Sequence, residues 1–141
     1  MRYEYRIHVI GGQPACGAGC VERFTPADNT GERYDPRMEE TRNNGRVESH
    51  PDIARLYEAF AHEAAHAIRG EVEGPYVMDL YLDDAGQPHV IELNPQSNSG
   101  LYALDMDALL TAIRDEPGEF MPDPARTVSP GCLGIRGAKA I

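Results

Sequence analysis

The stretch that most restricts how this chain can fold is Tyr76-Val-Met-Asp79-Leu-Tyr-Leu82, then Asp83-Asp-Ala-Gly86, then His89-Val-Ile-Glu92-Leu-Asn94-Pro95. Strand side chains alternate between faces, so Met78, Leu80 and Leu82 share one face and Val77, Asp79 and Tyr81 the other. On the returning strand Val90, Glu92 and Asn94 lie together, opposite Ile91 and Leu93. A turn closing around Ala85-Gly86 predicts a β-hairpin in which Asp79 pairs with Glu92 and Val77 with Asn94. Two carboxylates and a carboxamide then converge on one patch. Oxygen-only donors of this kind suit magnesium, which one or two carboxylates and substrate phosphates usually hold. The same pattern also describes a half-exposed hairpin with an acidic outer face.

A second hairpin is predicted at the N-terminus. Tyr3, Tyr5, Ile7 and Val9 form an apolar face, and Arg2, Glu4, Arg6 and His8 a polar one. Gly11-Gly12 is a strong two-residue turn signal. In the register this turn sets, Ile7 faces Cys16, Tyr5 faces Ala18 and Tyr3 faces Cys20, which puts both cysteines on the core side as small hydrophobes. Arg6 then faces Gly17, Glu4 faces Gly19 and His8 faces Ala15. Small residues across from Arg6 predict open space where a ligand could approach the backbone.

Residues 25–50 are polar, without apolar period, and predict a long loop of the kind that serves as a lid or stays disordered. Arg33, Arg37, Arg42 and Arg46 lie in it. The pattern does not assign any of them to a nucleotide or an acidic substrate. Ser49-His-Pro51-Asp52 opens a helix with a cap, an early proline and an acid near the positive dipole end. Its apolar stripe is Ile53, Leu56, Tyr57, Phe60, Ala64, Ala67 and Ile68, and Gly70 stops it. A second helix is predicted over Met106–Ile113, capped by Asp105. After Arg114 the chain is rich in Pro, Gly and charge, with Leu133 and Ile135 as its only anchors.

At 141 residues the chain is expected to form one domain, with 41% hydrophobic residues and no long apolar run. No secretory signal or membrane span is read, and a soluble, cytoplasmic protein is expected. The formal charge of −10 excludes nucleic acid as an expected partner, since a phosphate backbone needs a basic surface. The three cysteines, Cys16, Cys20 and Cys132, are an odd number and do not form a disulfide framework.

The run Asp79…Glu92-Leu-Asn94-Pro95, followed by Ser97-Asn-Ser-Gly100-Leu-Tyr102, resembles the C-terminal metal-binding signature of ATP-grasp enzymes. Glu4-Tyr-Arg6-Ile-His-Val-Ile-Gly-Gly12 is similar to that family's Glu/Asp-x-Arg strand and hairpin. The resemblance covers residues 1–114. It implies that Asp79, Glu92 and Asn94 hold Mg²⁺ bridging the phosphates of ATP, and that Arg6 reaches the transferred phosphate. It further implies that Ser97, Asn98, Ser99 and Gly100 hold the acceptor substrate. The implied activity is ATP-dependent ligation of a small-molecule carboxylate to an amine or similar nucleophile through an acylphosphate. The departure lies at the front: the family's upstream subdomain supplies lysines to the phosphates, whereas the one lysine here is Lys139. The resemblance therefore leaves open a ligase that starts upstream of Met1, half of a split enzyme whose partner supplies the missing subdomain, and a non-catalytic nucleotide- and metal-binding remnant.

A competing motif sits in the first helix. His62-Glu63-Ala-Ala-His66 matches H-E-x-x-H, in which two imidazoles one turn apart hold zinc and the Glu acts as general base. Glu92 or Glu73 would be the third ligand of such a zinc metallohydrolase. With about 100° per residue, however, both histidines fall mid-way across the polar face, between Arg55 and Arg69. The fold expected is α+β: two antiparallel hairpins joined into one sheet, one long helix packed on it, and a second short helix. The expected organisation is an ATP-grasp C-terminal-like domain over 1–114, with the loop at 25–50 and a Pro/Gly-rich tail at 115–141.

Overall fold

The computed structural model describes residues 1–43 and 45–119. The strands are β1 (Arg2–Ile10), β2 (Gln13–Gly19), β3 (Arg37–Glu39), β4 (Val47–Ser49), β5 (Tyr76–Leu82) and β6 (Pro88–Pro95); the helices are α1 (Pro51–Ala67) and α2 (Met106–Asp115). The main sheet is antiparallel throughout, in the order β2-β1-β5-β6, and β3 and β4 form a separate two-stranded ribbon. This is the expected α+β architecture, with the two hairpins joined along β1 and β5. No helix among the described residues is long and apolar enough to cross a membrane.

One face of the sheet carries Tyr5, Ile7, Val9, Met78, Leu80 and Leu82, all buried with Ala54, Tyr57, Ala61 and Ala65 of α1. Fully burying a large apolar side chain contributes about 1.5–3 kcal/mol, so this layer supplies much of the driving force for folding. The buried stripe of α1 is rotated from the expected one by roughly a quarter turn. Its alanines meet the sheet, and Leu56 is left 40% exposed. Small helix residues admit the large ring of Tyr5, which lies 5.2 Å from that of Tyr57. The helix also starts differently: Ser49 ends β4, and His50 is the cap residue without a side-chain hydrogen bond. Gly70 takes a left-handed φ of 87° just past the helix, as a stop residue does.

Both glycines of the first turn have positive φ, 62° at Gly11 and 73° at Gly12, as a primed two-residue turn demands. The register beyond it departs from expectation. Ile10 pairs with Gln13 and Val9 with Pro14, but His8 pairs with Cys16, Ile7 with Gly17 and Arg6 with Ala18. Pro14 has no N–H for the ladder, and a bulge at Ala15 shifts every later pair by one. Cys16, Ala18 and Cys20 therefore share the face of Arg6 and His8, where Cys16 packs with Ile10, Leu104 and Leu109. Both cysteines are free and buried, as small hydrophobes but on the other side from the one expected. Gly17 and Gly19 fall on the core face. A Cβ on Gly17 would come 2.6 Å from the Tyr5 ring, and one on Gly19 would strike the Arg37 carbonyl.

The polar stretch 25–50 is structured rather than an open loop. Met38 of β3 is fully buried against the α1 core, and residues 33–35 pair their backbone with Gly17 along the edge of β2. Asp35 is buried, forks onto Arg37, and its carbonyl accepts the Tyr5 hydroxyl hydrogen bond at 3.0 Å. A polar composition hid this element because buried ion pairs and one methionine anchor it, not an apolar stripe.

On the opposite face of the sheet, Leu104 and Leu109 pack with Ile10, Ala15 and Cys16, so α2 and the segment before it cover that end. Asp105 caps α2 by accepting from the Asp107 and Ala108 N–H groups, as read from sequence. The helix continues to Asp115, and Glu119 accepts a hydrogen bond from the Gly11 N–H at 2.8 Å. The first residues of the expected tail thus belong to the fold. Leu133 and Ile135 lie outside the described residues.

Candidate functional site

β5 and β6 pair as the alternation predicts: Asp79 opposite Glu92, and Val77 opposite Asn94. The turn itself is looser than expected. Asp83 accepts from the Ala85 and Gln87 N–H groups, and Gln87 closes the loop. A bulge at Ile91 absorbs the difference, so Val90 pairs with Leu80 and no longer shares the alignment of Glu92.

Next to Asp79 across the sheet stands Arg6 of β1, followed by Ala18 of β2. One cross-strand row therefore reads Ala18, Arg6, Asp79, Glu92, and the row beside it Cys16, His8, Val77, Asn94. Arg6 grips Asp79 through two parallel hydrogen bonds, Nε to Oδ1 at 2.8 Å and Nη2 to Oδ2 at 2.7 Å. Asp79 is only 1% exposed. Fork-to-fork pairing of this kind is the strong form of the charged hydrogen bond. It raises the Arg6 guanidinium further above its ordinary range. Above the pair, Nη1 donates to the Gly100 carbonyl at 3.1 Å, and the Tyr102 ring lies 5.1 Å from the guanidinium. The open space expected over Arg6 is therefore filled by the segment 100–102. Tyr102 holds that place with a left-handed φ of 50°, a conformation that bulky residues rarely adopt.

Glu92 is exposed, and neither its carboxylate nor the Asn94 amide has a hydrogen-bond or ion-pair partner among the described residues. Each Asp79 oxygen takes one hydrogen bond from Arg6, and an ionised carboxylate offers about four lone-pair sites. Acceptor capacity is left on all three side chains. Like charges directly across a strand pair repel. Arg6 offsets Asp79, and nothing among the described residues offsets Glu92. The set thus has the chemistry of a hard-cation site: oxygen donors only, with net negative charge. It does not close by itself. Among the described residues no three His, Cys, Asp or Glu side chains are placed to hold a metal ion, so Asn94 and oxygens brought by a ligand would have to complete it. His62 and His66 are both exposed, and no third ligand of these types joins them among the described residues.

The four expected acceptor-binding residues separate. Gly100 touches Arg6 through its carbonyl, and the Ser99 hydroxyl donates to the Pro95 carbonyl at 2.8 Å. Ser97 and Asn98 point to solvent in a short 3-10 turn, Gln96–Asn98. Three side chains of this face were not singled out from sequence. His8 is fully buried, with Nδ1 3.1 Å from the Gln96 amide nitrogen and Nε2 without a partner among the described residues. Burial first, and then the charge of Arg6, lower its pKa to about 4, so the ring is neutral at pH 7. Tyr102 and Arg42 are the others. The Arg42 Nη2 lies 3.5 Å from the Tyr102 hydroxyl. Strand alternation already puts His8 beside Arg6. Nothing in the local sequence distinguishes Arg42 from Arg33, Arg37 or Arg46. Comparisons of the chain with family models, with curated proteins and with solved structures found no match.

Proposed function

We propose that this face binds a nucleotide triphosphate with Mg²⁺ as the phosphate-handling half of an ATP-dependent carboxylate–amine ligase. The observation that carries the reading is the cross-strand row of Arg6, Asp79 and Glu92, flanked by Asn94. It sets a guanidinium beside an oxygen-only donor set on rigid strands, which position groups more finely than loops do. Glu92, Asn94 and the free lone pairs of Asp79 would hold Mg²⁺, which when bound supplies positive charge to the phosphate oxygens. Arg6, fixed by Asp79, would offer to the phosphate charge the N–H donors that Asp79 and Gly100 do not take. In phosphoryl transfer such positioning and charge neutralisation are most of what a protein contributes. The reading also rests on the resemblance to ATP-grasp enzymes. In that scheme a substrate carboxylate takes the γ-phosphoryl group, ADP leaves, and an amine displaces phosphate from the acyl group. A non-catalytic nucleotide-binding remnant would keep the same first step, binding.

Glu92→Gln is the sharpest variant. Asp79 is buried against Arg6 and its replacement perturbs the fold, whereas Glu92 is exposed and has no partner among the described residues. Isothermal titration of the chain with ATP is expected to give heat with Mg²⁺, and at least tenfold weaker binding in Glu92→Gln with the same thermal stability. Unchanged affinity in the variant would remove Glu92 from the site.

A further inference from the structure

After β3, residues 40–43 follow a course fixed from inside. Glu39 is buried, and its carboxylate accepts from the Asn43 N–H at 3.1 Å and from Arg23 at 3.0 Å. Asn43 turns the chain with a left-handed φ of 66°, and the Glu40 carbonyl accepts from the Tyr3 N–H at 3.0 Å. A buried carboxylate costs desolvation unless its hydrogen bonds are met. Residues 40–43 therefore have a specified position, and what they place is Arg42. The Arg42 Nη2 lies 3.5 Å from the hydroxyl of Tyr102, the ring that covers Arg6. Two guanidiniums thus flank one phenol.

Arg42 holds one half-buried and one exposed carboxylate. Nη1 meets Glu4, 20% exposed, at 3.2 Å, and Nη2 meets Glu22, 53% exposed, at 2.7 Å. An exposed pair such as that with Glu22 contributes about 0–1 kcal/mol and exchanges readily. The Arg6 pair is different in kind, buried and doubly bonded. We infer that Arg42 is the second arm of an anion clamp, leaving Glu22 to join Arg6 across Tyr102 on a polyphosphate or carboxylate group of the ligand. The inference rests on the nucleotide reading above and adds to it a residue from outside the sheet. Glu4, Glu22, Asp79 and Glu92 outnumber Arg6 and Arg42, so an anion arrives here as its magnesium complex.

The test is a ¹H–¹⁵N NMR titration with Mg·ATP, which follows weak binding and reads the arginine Nε–H signals separately. In the wild-type chain the signals of Arg6 and Arg42 are expected to move together with one Kd. Arg42→Ala should raise that Kd about tenfold. Arg42→Lys should restore less than half of the loss, because an ammonium lacks the planar fork. Glu22→Gln, which frees Arg42, should tighten binding a few-fold. Wild-type affinity in Arg42→Ala, with binding lost in Glu92→Gln, overturns the clamp and leaves the nucleotide reading standing. A shift of Arg6 alone does the same. No shift of either signal in the wild-type chain overturns both.

Discussion

His8 shows how a single side chain on this face can set a property of the whole chain. Its imidazole is fully buried, Gln96 meets one ring nitrogen, and the other has no partner among the described residues. Burial opposes a positive charge there, Arg6 on the same strand adds to that, and Asp79 favours the charge too weakly to prevent a pKa of about 4. In the unfolded chain the value is about 6.5. The sign follows from proton counts. Between those two values the unfolded state binds a proton that the folded state refuses, so stability falls as pH drops through 6.5 and the loss is complete near 4. The full difference is roughly 3 kcal/mol, of which about 2 kcal/mol is lost by pH 5. Urea unfolding at pH 7 and pH 5 should therefore show a drop about that much larger in the wild-type chain than in His8→Leu. Equal drops would mean that His8 titrates normally in the fold.

At the scale of elements, what the sequence made legible was what alternates or turns by local rule. The β5–β6 pairing of Asp79 with Glu92 follows from period-two alternation, the Gly11-Gly12 turn from backbone sterics, and α2 from an Asp105 cap. Bulges were not legible, since one extra residue leaves the hydrophobic pattern nearly intact while moving every partner. At Pro14-Ala15 that slip exchanges the roles of the cysteines and the glycines. The consequence can be measured. Gly19 lies where β3 crosses β2, and a Cβ there would meet the Arg37 carbonyl and the Met38 backbone. Gly17 would instead press hardest on the Tyr5 ring, 2.6 Å away, and less on the Arg6 carbonyl and the Ile7 side chain at 3.0 Å. A ring edge can shift, whereas a backbone held by a neighbouring ribbon shifts at greater cost. Gly19→Ala should lose about 1–3 kcal/mol, more than Gly17→Ala, in chemical denaturation. The reverse order would mean that the ribbon is the softer element. The site was legible to the same extent as the strands: Arg6, Asp79, Glu92 and Asn94 come together, while Tyr102 and Arg42 arrive by long-range contacts that no local pattern encodes.

For the whole molecule the governing quantity is charge. A formal net charge of −10 on 141 residues favours any cation, and two effects of different origin can be separated. General self-repulsion is relieved by screening, which depends on ionic strength and not on the identity of the salt. A site is filled by mass action: a cation that binds only the folded chain stabilises it by RT ln(1 + [L]/Kd), about 1.4 kcal/mol at tenfold excess over Kd. For a domain of this size that is a shift of a few degrees in Tm. Glu92 and Asp79 face each other, and Arg6 pairs with Asp79 alone, so Mg²⁺ should raise Tm by a few degrees more than NaCl at equal ionic strength. Glu92→Gln should lose that excess and keep the NaCl increment, because one charge among many barely alters the general repulsion. If both salts gave the same shift in the wild-type chain, the negative charge of this face would be diffuse, and Glu92 would be one more solvated carboxylate on an acidic surface.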